Sequence, residues 1–202
     1  SLRDGLRDVF DIDIGVYRKQ PTIEEGFNYI RAKAEDAGVF VLLIGNLGSH
    51  HTNLDVSAFR GFALADSLAP FVVINDQDAK TAWSFSLLHE LAHILLGETG
   101  ISGAISDSKV EMLCNDAASL LLVPAAALAT IEGIGGQDVG ADAVAITKFA
   151  RPRLVRRSMV AYRLYKVGRV TKEHWGALAD LFKREWLAIK EKIKEKARQT
   201  ES

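Results

Sequence analysis

His89, Glu90 and His93 stand in the order H-E-x-x-H, a spacing that suits one metal ion and one base. On a helix, residues four apart lie one above the other on the same face, so both imidazoles can reach a single ion. Glu90 sits about 100° further round and can address a water on that ion rather than bind it. The chemistry this implies is hydrolysis: the metal lowers the pKa of the water and polarises a carbonyl, and Glu90 takes the proton and later returns it to the leaving amine.

A catalytic zinc typically takes three protein ligands and leaves the fourth position for water. The long form H-E-x-x-H-x-x-G-x-x-H does not supply the third, because Leu96 holds its glycine position and Thr99 its last histidine position. The best candidate is Glu111 on the next helix, where Asn115, Ala118 and Leu122 continue its face towards the core. A competing reading exists, since Ser108-Lys109-Val110-Glu111 also fits a capping box in which Glu111 only holds the helix N-terminus. Cys114, one turn on, is a conceivable thiolate, but small buried cysteine is the commoner role and it is left out of the ligand set. His50 and His51 form a pair in a Gly/Asn/Ser loop, where solvation is the expectation. Tyr162, Arg163 and His174 are candidates for supporting groups or an oxyanion partner further along the chain.

These residues need rigid carriers. Around the motif, Phe85, Leu88, Ala92, Leu95 and Leu96 recur at helical spacing, with Asp76 and Asp78 offering N-caps and Gly97 a stop. Lys109 to Val123 predicts a second amphipathic helix ended by Pro124. Ahead of them, DVFDIDIG in residues 1–20 alternates like a short strand, and Thr22 with Glu25 marks a capping box opening a helix that ends near Gly38. Val39 to Ile44, Phe59 to Leu64 and Phe71 to Asn75 predict three strands, the last two antiparallel, with ETGISGAISD after the motif helix as loop. Helical patterns follow over roughly 138–150, 154–167 and 172–198. The expected fold class is α+β: a small, mostly antiparallel three-stranded sheet packed on the motif helix and the second ligand helix. Residues 1–132 then form a zincin-like catalytic domain and 133–202 a helical, basic region.

A chain of 202 residues that is 48% hydrophobic can fill a core without staples. Its single cysteine rules out an intrachain disulfide or a Cys-rich zinc module. No apolar run approaches the eighteen or so residues a membrane span needs, so a cytoplasmic protein that does not enter a membrane is expected. The chain begins with Ser1 and not Met, which reads as a trimmed fragment with something further upstream. The net charge of −1 hides a split: residues 1–150 hold 10 basic and 20 acidic side chains and residues 151–202 hold 15 and 6. Either the basic tail docks on the acidic body or it meets an acidic partner.

HELAHILLG, then EMLCNDAASLLLVP ending at Pro124, with FVVIND ahead of the helix, resembles the ImmA/IrrE family of zinc-dependent endopeptidases over about residues 22–125. The resemblance implies that His89, His93 and Glu111 bind zinc and that Glu90 is the base; manganese is the conceivable alternative because a His, His, Glu site discriminates metals mostly by geometry and supply. It further implies a protein substrate, a helix-turn-helix transcriptional repressor, and a smaller helical, sometimes winged-helix-like, region after the catalytic part. SMVAYRLYKVGRVT is similar to that region's R-L-x-x-x-G-x-I pattern, whereas RPRLVRR departs from the usual spacing. The family often carries a DNA-binding domain at its N-terminus, and none is evident here. The rival reading is a regulatory module that binds protein or DNA through the basic region, with a structural or vestigial metal site. Lys190 to Arg198 alternates Lys and Glu in the manner of i,i+4 pairs, which favours a solvated helix over nucleic-acid contact.

Overall fold

The computed structural model describes residues 1–45, 56, 59–102, 109–136 and 138–200. Its first twenty residues correct the strand expectation. Ser1 caps helix α1 (Leu2–Val9) through a capping box with Asp4, and Asp13 caps α2 (Ile14–Arg18) through Gly15 and Val16. The alternation of Phe10 and Ile12, both buried, is real, but it runs through a turn in which Asp11 has φ 48°. With no neighbouring strand to pair, local capping decides the conformation there.

Thr22 caps α3 (Ile23–Asp36), its Oγ1 accepting from Glu25 N at 3.1 Å, and Gly38 turns the chain at φ 88°. The three expected strands are β1 (Phe40–Leu43), β2 (Gly61–Leu64) and β3 (Phe71–Ile74). Gly100–Ser102 adds a short fourth strand, β4, in a segment expected as loop. The sheet order is β1-β3-β2-β4, with β1 parallel to β3 and the other pairs antiparallel. A three-residue strand carries too little alternation to announce itself; it is specified by β2 alongside it.

Register puts Val41, Ala63, Val72 and Ile74 on one face of the sheet, all at most 1% exposed. Helix α4 (Lys80–Leu96) packs on that face through β2 and β3, and is flanked elsewhere by α1, α3 and α5 (Lys109–Leu122). Enclosed in this way, α4 buries nearly its whole middle, from Leu87 to His93. Gly97 ends it in the left-handed conformation at φ 69°, where glycine carries no Cβ penalty. Its start differs from expectation: the N-cap is Ala79, without a side-chain cap, while Asp78 Oδ1 accepts from Ala79 N and Asp76 accepts from the Gln77 amide.

Chain contacts divide the described fold into two units, Ser1–Pro124 with Pro152–Val155, and Ala125–Arg151 with Arg156–Ser202. The Tyr17 hydroxyl donates to Leu154 O at 2.8 Å, tying 152–155 to the first unit. The second unit holds α6 (Ala125–Leu128), α7 (Val139–Ala150), α8 (Arg157–Lys166) and α9 (Lys172–Thr200). Its described residues form no strand, so they contain no β-hairpin wing of the winged-helix kind. Among the described residues, no helix is long and apolar enough to cross a membrane.

Candidate metal centre

His89 and His93 leave α4 one turn apart with ring centroids at 4.8 Å, and their Nε2 atoms lie 3.1 Å from each other. Glu111 arrives from the first turn of α5, placing Oε2 at 3.2 Å from His89 Nε2 and Oε1 at 3.1 Å from His93 Nε2. An ion with tetrahedral bonds of about 2.0–2.1 Å holds its ligand atoms about 3.3 Å apart. The closest approaches are near that spacing, and one ligand atom from each of the three side chains lies within 4.8 Å of the others, a group that could hold a metal ion. Hydrogen bonding to both carboxylate oxygens would need both rings to carry their protons on Nε2, setting two N–H groups side by side. A cation accepts all three lone pairs without that conflict.

The electrostatics favour the ligand forms. Burial pushes the His93 pKa below its ordinary value, the nearby His89 adds to this, and Glu111 does not reverse it. The hydrogen bond from His89 holds the Glu111 carboxyl below the usual range against the opposing effect of burial. Neutral imidazole and ionised carboxylate are the species a divalent ion binds. Both histidines are 4% exposed and Glu90 is 0% exposed, so the cluster sits out of bulk water.

The family model described as Peptidase_M78, IrrE N-terminal-like domain, matches residues 45–165, which take in both ligand helices and Glu90. The chain belongs to this family. Membership makes it a metallopeptidase-family protein, and the donor set of its first unit is of the kind that name calls for. No curated protein matches the chain.

The other candidates fall as follows. Asn115 lies one turn beyond Glu111 on α5, half-buried. Cys114 is fully buried, outside the His89, His93 and Glu111 group, and burial pushes its thiol up to about 12. Tyr162, Arg163 and His174 all belong to the second unit: Tyr162 packs edge-on against Trp175, Arg163 is buried, and His174 Nε2 lies 2.9 Å from Asp142 Oδ2. His50, His51 and Ser108, the residue of the competing capping box, lie outside the described residues.

Sequence reasoning missed Gly61. A Cβ built there would fall 2.8 Å from Glu90 Oε1 and 3.2 Å from its Cγ, so the carboxylate rests against bare backbone of β2. The available signal was a glycine within an apolar strand run, RGFALA, which marks a close approach of something to the strand.

Proposed function

We propose that the chain is a zinc-dependent endopeptidase that cuts a helix-turn-helix transcriptional repressor. The observation that carries this reading is the convergence of His89, His93 and Glu111 beside a fully buried Glu90. His89, His93 and Glu111 would hold a divalent ion, which would supply Lewis acidity to lower the pKa of a water and polarise a carbonyl. Glu90, held off the ligand set by its place one residue after His89, would serve as the base, accepting a proton on its carboxylate and returning it to the leaving amine. Two nitrogens and one carboxylate suit zinc, and manganese would be distinguished from it by geometry and supply.

The sheet supports the way a peptide would lie. Gly61 on β2 faces Glu90 and pairs with Ser102 on β4, so β4 runs alongside the base at one edge of the sheet. An extended substrate adding its backbone to that edge would bring a peptide bond to the site. Such pairing reads backbone and not sequence, so it needs a substrate with an exposed extended segment, as between the domains of a repressor.

The test is to incubate the protein and zinc with a helix-turn-helix repressor, taking first any that is encoded beside it. Discrete fragments should appear, a chelator should stop their formation, and Glu90→Gln should retain metal while cutting about a hundredfold or more slowly. If Glu90→Gln supports the same biological output as the wild type, hydrolysis is not the function and the regulatory binding reading replaces it.

A further inference from the structure

Gly61 is glycine for want of space and not for conformational freedom, because its backbone does not occupy the left-handed region. It lies at the start of β2, on the inner face it shares with Ala63, where α4 packs on the strand. Two small residues in succession let α4 approach β2 closely. At Gly61 the approaching atoms are the Oε1 and Cγ of Glu90, at 2.8 and 3.2 Å from the position a Cβ would take, with Val73 O at 3.0 Å behind.

We propose that Gly61 is a positioning residue, whose bare backbone forms the wall that fixes where the Glu90 carboxylate sits. The proposal rests on the reading of Glu90 as the base. It also has a physical content that does not depend on that reading, namely a steric coupling between positions 61 and 90. A carboxylate has two soft torsions that could swing it away from the ligand set, and packing against a strand removes that freedom. The strand end is itself fixed: Asn75 N donates to Arg60 O at 2.9 Å, and Asn75 Nδ2 donates to Phe59 O at 2.8 Å. Asn75 is fully buried, so the residues leading into Gly61 are pinned from the position just after β3 by both its backbone and its side chain. A methyl group at position 61 must displace the carboxylate, since the other near atom, Val73 O, belongs to the sheet backbone and yields less.

The experiment is a double-substitution cycle with Gly61→Ala and Glu90→Asp, read by thermal unfolding of the metal-free protein, by zinc content and by peptide cleavage. Gly61→Ala alone should lower Tm by on the order of 5 °C. It should also slow cleavage by about a hundredfold, the scale expected for a misplaced catalytic group, while zinc content is unchanged because no ligand is touched. Glu90→Asp withdraws the carboxylate by one methylene. It should reduce the Tm loss caused by Gly61→Ala to less than half, and it should raise cleavage in that background although it lowers cleavage in the wild type. A Tm loss that stays above half, or a Gly61→Ala protein with wild-type Tm and cleavage, overturns the proposal. Where Gly61→Ala alone does not fold, recovery of folded protein by the double substitution reads the same coupling, and failure to recover overturns it. If the wild type cuts no substrate, the hydrolytic reading fails, while the Tm cycle still decides the contact between the two residues.

Discussion

Glu111→Gln separates the two roles its sequence position allows, because glutamine serves a capping box as well as glutamate does but brings no charge to a metal. The carboxylate spans both rings, at 3.2 and 3.1 Å from the two Nε2 atoms, and is one of three side chains that could hold a metal ion. Structural zinc sites with four ligands bind with about 10–16 kcal/mol, or roughly 3–4 kcal/mol per ligand, so losing this one should weaken affinity by two to three decades. At a zinc concentration about a thousandfold above the wild-type Kd, linkage stabilises the folded protein by about 4 kcal/mol. With about 2–4 °C per kcal/mol at this chain length, zinc should raise the wild-type Tm by roughly 8–16 °C. After a loss of three decades the same zinc gives about 0.4 kcal/mol, a shift of one or two degrees. Thermal unfolding with and without zinc, together with metal content after dialysis, measures both quantities. A Glu111→Gln protein that keeps stoichiometric zinc and the full Tm rise would refute the ligand role and return Glu111 to the helix cap.

Acid should release the metal in a defined window. The His93 pKa lies below its ordinary 6.5, so between its folded value and 6.5 the unfolded chain binds more protons. Stability from this group is therefore present above pH 6.5 and is lost as pH falls through the folded value. Glu111, held below its ordinary 4.5, acts in the same direction in a lower window. Zinc titrations from pH 7.5 downwards should show binding that weakens as the pH falls through the folded His93 value, on the acid side of 6.5, and an affinity that falls away already above 6.5 would contradict this. Cys114, with its thiol at about 12, should resist a thiol reagent at pH 8 in the native state, where about one thiol in ten thousand is ionised, and should react once the chain is unfolded. Stoichiometric labelling of the native protein within minutes would show that its burial is not maintained in solution.

What the sequence determined by itself is what short-range chemistry controls. Four residues are one helical turn, so H-E-x-x-H already placed two imidazoles on one face of α4 and Glu90 off it. Thr22 with Glu25 and the glycine at position 97 set helix ends through hydrogen bonds and a backbone conformation that need no distant partner. The apolar runs at 40–43, 61–64 and 71–74 announced strands by their composition, although β1 buries only Val41 and leaves Phe40 and Leu42 exposed. Alternation in residues 9–14 misled for the converse reason: two buried residues flanking an aspartate fit a strand or a turn equally well, and only the lack of a pairing edge decided for the turn.

The rest was decided by elements distant in sequence coming together. Glu111 could cap or ligate by its local pattern, and it is the packing of α5 on α4 that brings its carboxylate to both Nε2 atoms. The three residues of β4 become a strand because β2 offers an edge. Gly61 is, in the sequence, one glycine within an apolar run, and only the approach of α4 to β2 made it the surface on which Glu90 rests. A side chain's reach is a few ångströms, so periodicity can assign it to a face, but which atoms meet it there depends on how whole helices and strands dock.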